Sequence, residues 1–109
     1  MRYSLLSLLS QPSYEDYPPP NAVSLENAEE VLEVCAQLEI VPCKILRSGE
    51  GGVFIAFLPP SGQLANMEVF NDGELFACTH KGEINVWEVR PNPESIREAL
   101  IRVMELGCV

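Results

Sequence analysis

The chain is short of bases. Seven Lys and Arg stand against sixteen Asp and Glu, giving a net charge of −9 and an isoelectric point near 4.4. Nucleic-acid backbones are gripped by clustered cations, and anionic membrane surfaces by polybasic segments. Neither is an expected partner. Long apolar runs are missing too: nowhere do the roughly 20 consecutive apolar residues of a membrane span occur. There is one histidine, His80, and no two cysteines stand at the C-x-x-C spacing of zinc sites. Only a gathering of Cys78, His80 and two distant cysteines could hold a metal, so no metal or cofactor is expected. Cys35, Cys43, Cys78 and Cys108 read instead as reduced thiols in a cytoplasmic protein. The glycine run Ser48–Gly52 is followed by no Gly-Lys-Ser/Thr, which excludes a phosphate-binding loop. No G-x-S-x-G nucleophile elbow occurs either.

What is present suits one small folded domain. Of 109 residues, 47% are hydrophobic and 21% charged, and seven glycines and nine prolines are too few for a low-complexity chain. The charge is uneven. Glu15, Asp16, Glu26, Glu29, Glu30, Glu33 and Glu39 precede residue 41 with only Arg2 to offset them. Residues 1–23 read as an N-terminal arm with a stiff connector at Pro18-Pro19-Pro20, and residues 24–109 as a single domain. The leucines of Met1–Ser10 are interrupted by Ser7, preceded by one base and followed by no small-x-small cleavage site. They suit a short helix laid on the domain better than a secretory leader.

A first helix is expected over Leu25–Leu38, capped by Ser24 with Glu26 in its first turn. Ala28, Val31, Leu32, Cys35 and Leu38 fall on one arc at helical spacing. Glu26, Glu29, Glu30 and Glu33 fall on the opposite arc, and the helix contains no Lys or Arg. Strands are expected at 44–47, 53–58, 65–70, 74–79 and 84–89. A two-residue turn at Asp72-Gly73 would pair Val69 with Phe76 and Met67 with Cys78 on the core face, and a two-residue turn at Lys81-Gly82 as well would put Trp87 beside Phe76. The other face would then show Phe70, Leu75, Ile84 and Val86 among Asn66, Glu68 and Glu88. That is too apolar to be fully wet, and the arm or a second copy of the chain would cover it. A second helix opens at Asn92-Pro93-Glu94, buries Ile96, Ala99, Leu100, Val103 and Leu106, and stops at Gly107. The fold class is therefore α+β: an antiparallel meander of four or five strands, with an N-terminal and a C-terminal helix on one face.

Ser48-Gly49-Glu50-Gly51-Gly52-Val53, then Ala65–Glu74 ending Phe70-Asn71-Asp72-Gly73-Glu74, then Val86-Trp87-Glu88-Val89 carry a resemblance. The stretch 25–106 resembles a family of small acidic bacterial proteins with S-x-E-G-G-V, F-N-D-G-E and V-W-E-V motifs. The resemblance implies a self-contained bacterial domain. No activity is assigned to that family, so no catalytic residue carries over. The turn His80-Lys81-Gly82-Glu83 is shorter than in the family pattern.

Two functions are expected to compete. The first is a non-catalytic inhibitor, immunity or accessory protein that meets a basic protein partner through Glu26, Glu29, Glu30 and Glu33. The second is a small enzyme or ligand-binding domain that uses Glu68, Glu88 and His80 on the sheet face opposite the helices. A Cys–His couple of His80 with Cys43 or Cys78 is conceivable, but a core-facing Cys78 would be inert. Homodimerisation through the second sheet face is compatible with the first function. The absence of an evident catalytic set favours a protein that is not an enzyme.

Overall fold

The computed structural model describes residues 18–80 and 83–106. The arm residues 1–17, the Lys81-Gly82 turn, Gly107 and Cys108 lie outside the described residues. Helix α1 (Ala22–Gln37) is followed by strands β1 (Lys44–Arg47), β2 (Gly52–Phe57), β3 (Ala65–Phe70), β4 (Leu75–Thr79) and β5 (Asn85–Val89), then helix α2 (Pro93–Val103). All neighbouring strands pair antiparallel, in the order β1-β2-β3-β4-β5. This is the α+β meander that the spacing of turns and apolar residues predicts.

Both helices cover one face. α1 lies over β2 and β3, α2 over β4 and β5, and the helices touch each other. Between helices and sheet lie Ala28, Val31 and Cys35 from α1, Ile55, Met67, Val69, Leu75 and Ala77 from the sheet, and Ile96, Leu100 and Val103 from α2. Val34 is buried as well, whereas Leu32 and Leu38 are only half-buried.

The β3–β4 turn corrects the expected register. Gly73 N–H donates to the Phe70 carbonyl (3.1 Å) and Phe70 N–H to the Glu74 carbonyl (2.8 Å), while Gly73 has φ +97°. The loop is thus Asn71-Asp72-Gly73, a type I turn closed by a left-handed glycine in a bulge, rather than a two-residue turn. Asp72 Oδ1 accepts from Glu74 N–H (2.9 Å) and reinforces it. The extra residue shifts the pairing by one: Val69 opposes Leu75, Met67 opposes Ala77, Glu68 opposes Phe76 and Asn66 opposes Cys78. With a side-chain period of two, one step exchanges the faces. Leu75 and Ala77 therefore enter the core, and Phe76 and Cys78 go to the far side. Trp87 keeps its place on the helix face but pairs with Ala77, and Ile84 precedes β5.

The helix ends also differ from expectation. α1 begins three residues earlier, with Asn21 as N-cap; its side chain accepts from Ser24 N–H (3.0 Å), and Ser24 Oγ accepts from Asn21 N–H (3.1 Å), a reciprocal capping box. Glu26 is consequently outside the first turn. α2 starts as expected, with Asn92 accepting from Ser95 N–H (2.8 Å) and Pro93 at the first helical position. Both helices end alike. Ile40 N–H reaches the Cys35 carbonyl and Glu39 N–H the Ala36 carbonyl; Leu106 N–H reaches Ile101 and Glu105 N–H reaches Arg102. These are paired Schellman closures, and the left-handed position is held by Glu39 (φ 59°) and Glu105 (φ 57°). Glu105, not Gly107, therefore stops α2, and Leu106 is exposed beyond it.

Gly52 marks the closest approach in the sheet. Its φ is +132°, and a Cβ there would sit 1.9 Å from the Val69 carbonyl oxygen. Only glycine fits.

Candidate functional site

Two surfaces carry the residues singled out in the sequence. The first is the outer face of α1. The helix is pinned by the core through Ala28, Val31 and Cys35, which sets the opposite arc outward. Glu26, Glu29 and Glu33 are exposed and Glu30 is half-exposed. No basic residue lies in the last turn. The result is a one-sign ridge on a 16-residue helix.

The second is the sheet face that neither α1 nor α2 covers. Cross-strand pairing lines up Leu46, Phe54, Glu68, Phe76 and Glu88 in one row, and Lys44, Ala56, Asn66, Cys78 and Val86 in the next. Leu46 is 41% exposed and Val86 61%. The Phe70 and Phe76 rings meet edge to face, with centroids 5.8 Å apart and planes at 74°. Toward the turn end lies an open groove of about 490 Å³ lined by Pro18, Glu68, Phe70, Asp72, Glu74 and Phe76 among others.

The residues expected to cooperate on this face are not assembled. Glu68 and Glu88 flank Phe76 in the same row, so two strand spacings, roughly 10 Å, and an aromatic ring separate them. Glu68 accepts a hydrogen bond from the buried Ser48 hydroxyl, while Glu88 is exposed. His80 lies four residues beyond Phe76, roughly 13 Å away at strand rise. Its Nδ1 is 2.8 Å from the Leu64 carbonyl oxygen, as a donor would be, and its Nε2 lies 4.0 Å from Cys78 Sγ.

That Cys78–His80 contact brings together one of the two expected Cys–His couples, but in a different setting. Cys78 is half-buried on the uncovered face, not in the core. Burial, and next the negative charge of Glu68, push its thiol upward from its ordinary value. A nucleophilic cysteine needs the opposite shift. Cys43 is exposed beside β1, three strands from β4. Cys35 is buried on the helix side, where desolvation, partly opposed by a backbone hydrogen bond, pushes its thiol up to about 12. The sheet thus stands between Cys35 and Cys78. Among the described residues no group of three or more His, Cys, Asp and Glu is placed to hold a metal ion, and no helix is long and apolar enough to cross a membrane.

Three features lie beyond sequence reasoning. The Arg102 guanidinium sits 3.9 Å over the Trp87 ring, so the half-buried indole is capped by the protein itself. Ser48, inside the glycine turn, holds Glu68. Asn71 joins three segments. Its Oδ1 accepts from Asn21 N–H (3.0 Å) and the Ser24 hydroxyl (2.7 Å), its Nδ2 donates to the Pro19 carbonyl (3.0 Å), and its N–H donates to the Gly51 carbonyl (3.2 Å). Nothing in an Asn-Asp-Gly turn announces a contact 50 residues upstream.

Comparison of the chain with family models, with curated proteins and with solved structures returns no match.

Proposed function

We propose that this chain is a non-catalytic binding protein, of the inhibitor, immunity or accessory kind, that engages a basic protein partner through the outer face of α1. One observation carries the reading: a rigid helix, held by the core on one side, presents Glu26, Glu29, Glu30 and Glu33 outward with no cation of its own among them. Most solvent faces mix signs, whereas an unmixed ridge steers and selects an oppositely charged partner. The raised thiol of Cys78 and the separation of Glu68 from Glu88 and His80 argue in the same direction, because among the described residues they leave Cys78 unactivated and these carboxylates and imidazole apart. A cytoplasmic setting fits Cys35, Cys43 and Cys78, which are free.

Parallel affinity capture tests the reading, using the natural chain and a variant with Glu26, Glu29, Glu30 and Glu33 all changed to Lys. The expected result is a partner that elutes from the natural chain at raised salt and binds the variant on the order of 100-fold more weakly, with folding intact. Equal capture by both chains overturns it.

The groove beside Phe70 and Phe76 supports a second reading, a small-ligand site on the uncovered face. It differs in its readout: ligand binding there would be indifferent to the α1 charges and sensitive to Glu68.

A further inference from the structure

We propose that the uncovered face of the sheet is the seat of the chain's own residues 1–17, laid across Leu46, Phe54, Phe76 and Val86 from the corner at Pro18. This goes beyond the reading of α1 and does not depend on it.

The face is the first ground. Its middle row runs Leu46, Phe54, Glu68, Phe76, Glu88, and Val86 stands 61% exposed beside Cys78. Contiguous apolar surface of this kind on a small domain calls for a cover.

The corner is the second. Pro18 lines the groove on this face and packs beside Gly51, where a Cβ would come within 2.8 Å of Pro18 Cγ. Pro19 and Asn21 are tied to Asn71, and Pro20 is buried. The three prolines have fixed φ angles, so the chain is delivered to the rim of the uncovered face along a restricted direction.

Reach and composition are the third. Leu5, Leu6, Leu8 and Leu9 precede Pro18 by nine to thirteen residues. That is roughly 30–45 Å of extended chain, or roughly 14–20 Å of helix. Five strands span roughly 19 Å, so the leucines reach the middle of the sheet in either form. Arg2 is the only charged residue before Glu15, and it complements Glu68 and Glu88. A tethered segment faces the sheet at an effective concentration in the millimolar range, well above that of a second copy at ordinary dilution.

Cys78 reports on the cover, because it lies on this face, and the exposed Cys43 serves as an internal reference. Alkylation of each thiol is followed by mass spectrometry in the full chain and in a full-length variant with Leu5, Leu6, Leu8 and Leu9 changed to Ser. The expected result is that Cys78 labels about tenfold faster in the variant, that Cys43 is unchanged, and that the protection in the natural chain survives dilution. Equal Cys78 rates in the two chains overturn the proposal. Protection lost on dilution also overturns it and assigns the face to a second copy. A measurement on the unmodified chain guards against a variant that misfolds: nuclear Overhauser contacts between the leucine methyls and the Phe54 and Phe76 rings, intramolecular in an isotopically mixed sample. Their absence, or their appearance only between molecules, rejects the proposal.

Discussion

The two faces of this sheet come from the same alternating strands, yet α1 and α2 seal one and no described element closes over the other. On the helix side Ile55, Met67, Leu75 and Ala77 have no exposed surface. One residue along each strand, Phe54, Glu68, Phe76 and Cys78 are only half-buried. The difference teaches that alternation makes two candidate cores, and that loop length decides which of them receives the helices. Here the decision lies in Asn71-Asp72-Gly73. A two-residue turn would put Phe76 and Cys78 under α2; the bulge places the smaller Leu75 and Ala77 there, which leaves room for Ile96 and Leu100.

Neighbouring residues on β4 test the contrast most strongly. Leu75→Ala should cost about 3 kcal/mol of unfolding free energy, because it opens a cavity in a closed core. Phe76→Ala should cost less, about 1 kcal/mol, because the described residues only half-bury its ring. Denaturant midpoints compare them, and equal losses would mean that the far face is as tightly packed as the near one.

The buried thiol gives a pH-dependent version of the same contrast. Cys35 keeps its proton in the folded chain up to about 12, against an ordinary value of 9.0. Its contribution is fully present below pH 9 and is lost as pH climbs toward 12, since over that window only the unfolded thiol ionises. The slope is about 1.4 kcal/mol per pH unit, or about 2 kcal/mol by pH 10.5. Urea titrations from pH 8 to 10.5 should show this decline in the natural chain and a shallower one in Cys35→Ala. Parallel declines would remove Cys35 as the cause.

The smallest of the three effects concerns the rim where the two faces meet. Asn71→Ala deprives the buried Ser24 hydroxyl and the Asn21 N–H of a shared acceptor, and should cost about 1.5 kcal/mol. Asn71→Asp keeps that acceptor and loses only the donor to Pro19, so thermal unfolding should place it between the natural chain and Asn71→Ala.

Much of this architecture was legible beforehand. The 3.6-residue spacing of Ala28, Val31 and Cys35, the Asn92-Pro93 start of α2 and the turn residues between strands are local signals, and they yield the helices, the meander and the outward glutamates. The register was not legible, because Asn-Asp-Gly serves two loop lengths and the choice depends on packing under α2. The start of α1 was misplaced because Asn21 follows three prolines and resembles connector, while Ser24 is a good cap in isolation; the structure uses both. Two left-handed glutamates end the helices, although sequence alone favours Gly107 for α2. Among the expected site residues, Glu26, Glu29 and Glu33 are exposed on α1 and Glu30 is half-exposed. Glu68, Glu88 and His80 share a side of the sheet, but the spacing of the strands keeps them apart.

The bonds that Asn71 Oδ1 accepts from Asn21 and Ser24 have a further consequence, for how the fold loosens. The opening turn of α1 shares a hydrogen-bond acceptor with a hairpin tip some fifty positions later. Although the helix carries its own reciprocal cap, its first turn and that tip share one amide group, and loosening either releases the other. Loss of the hairpin tip therefore weakens the start of α1 as well, so two segments some fifty positions apart in sequence are stabilised together in the folded chain.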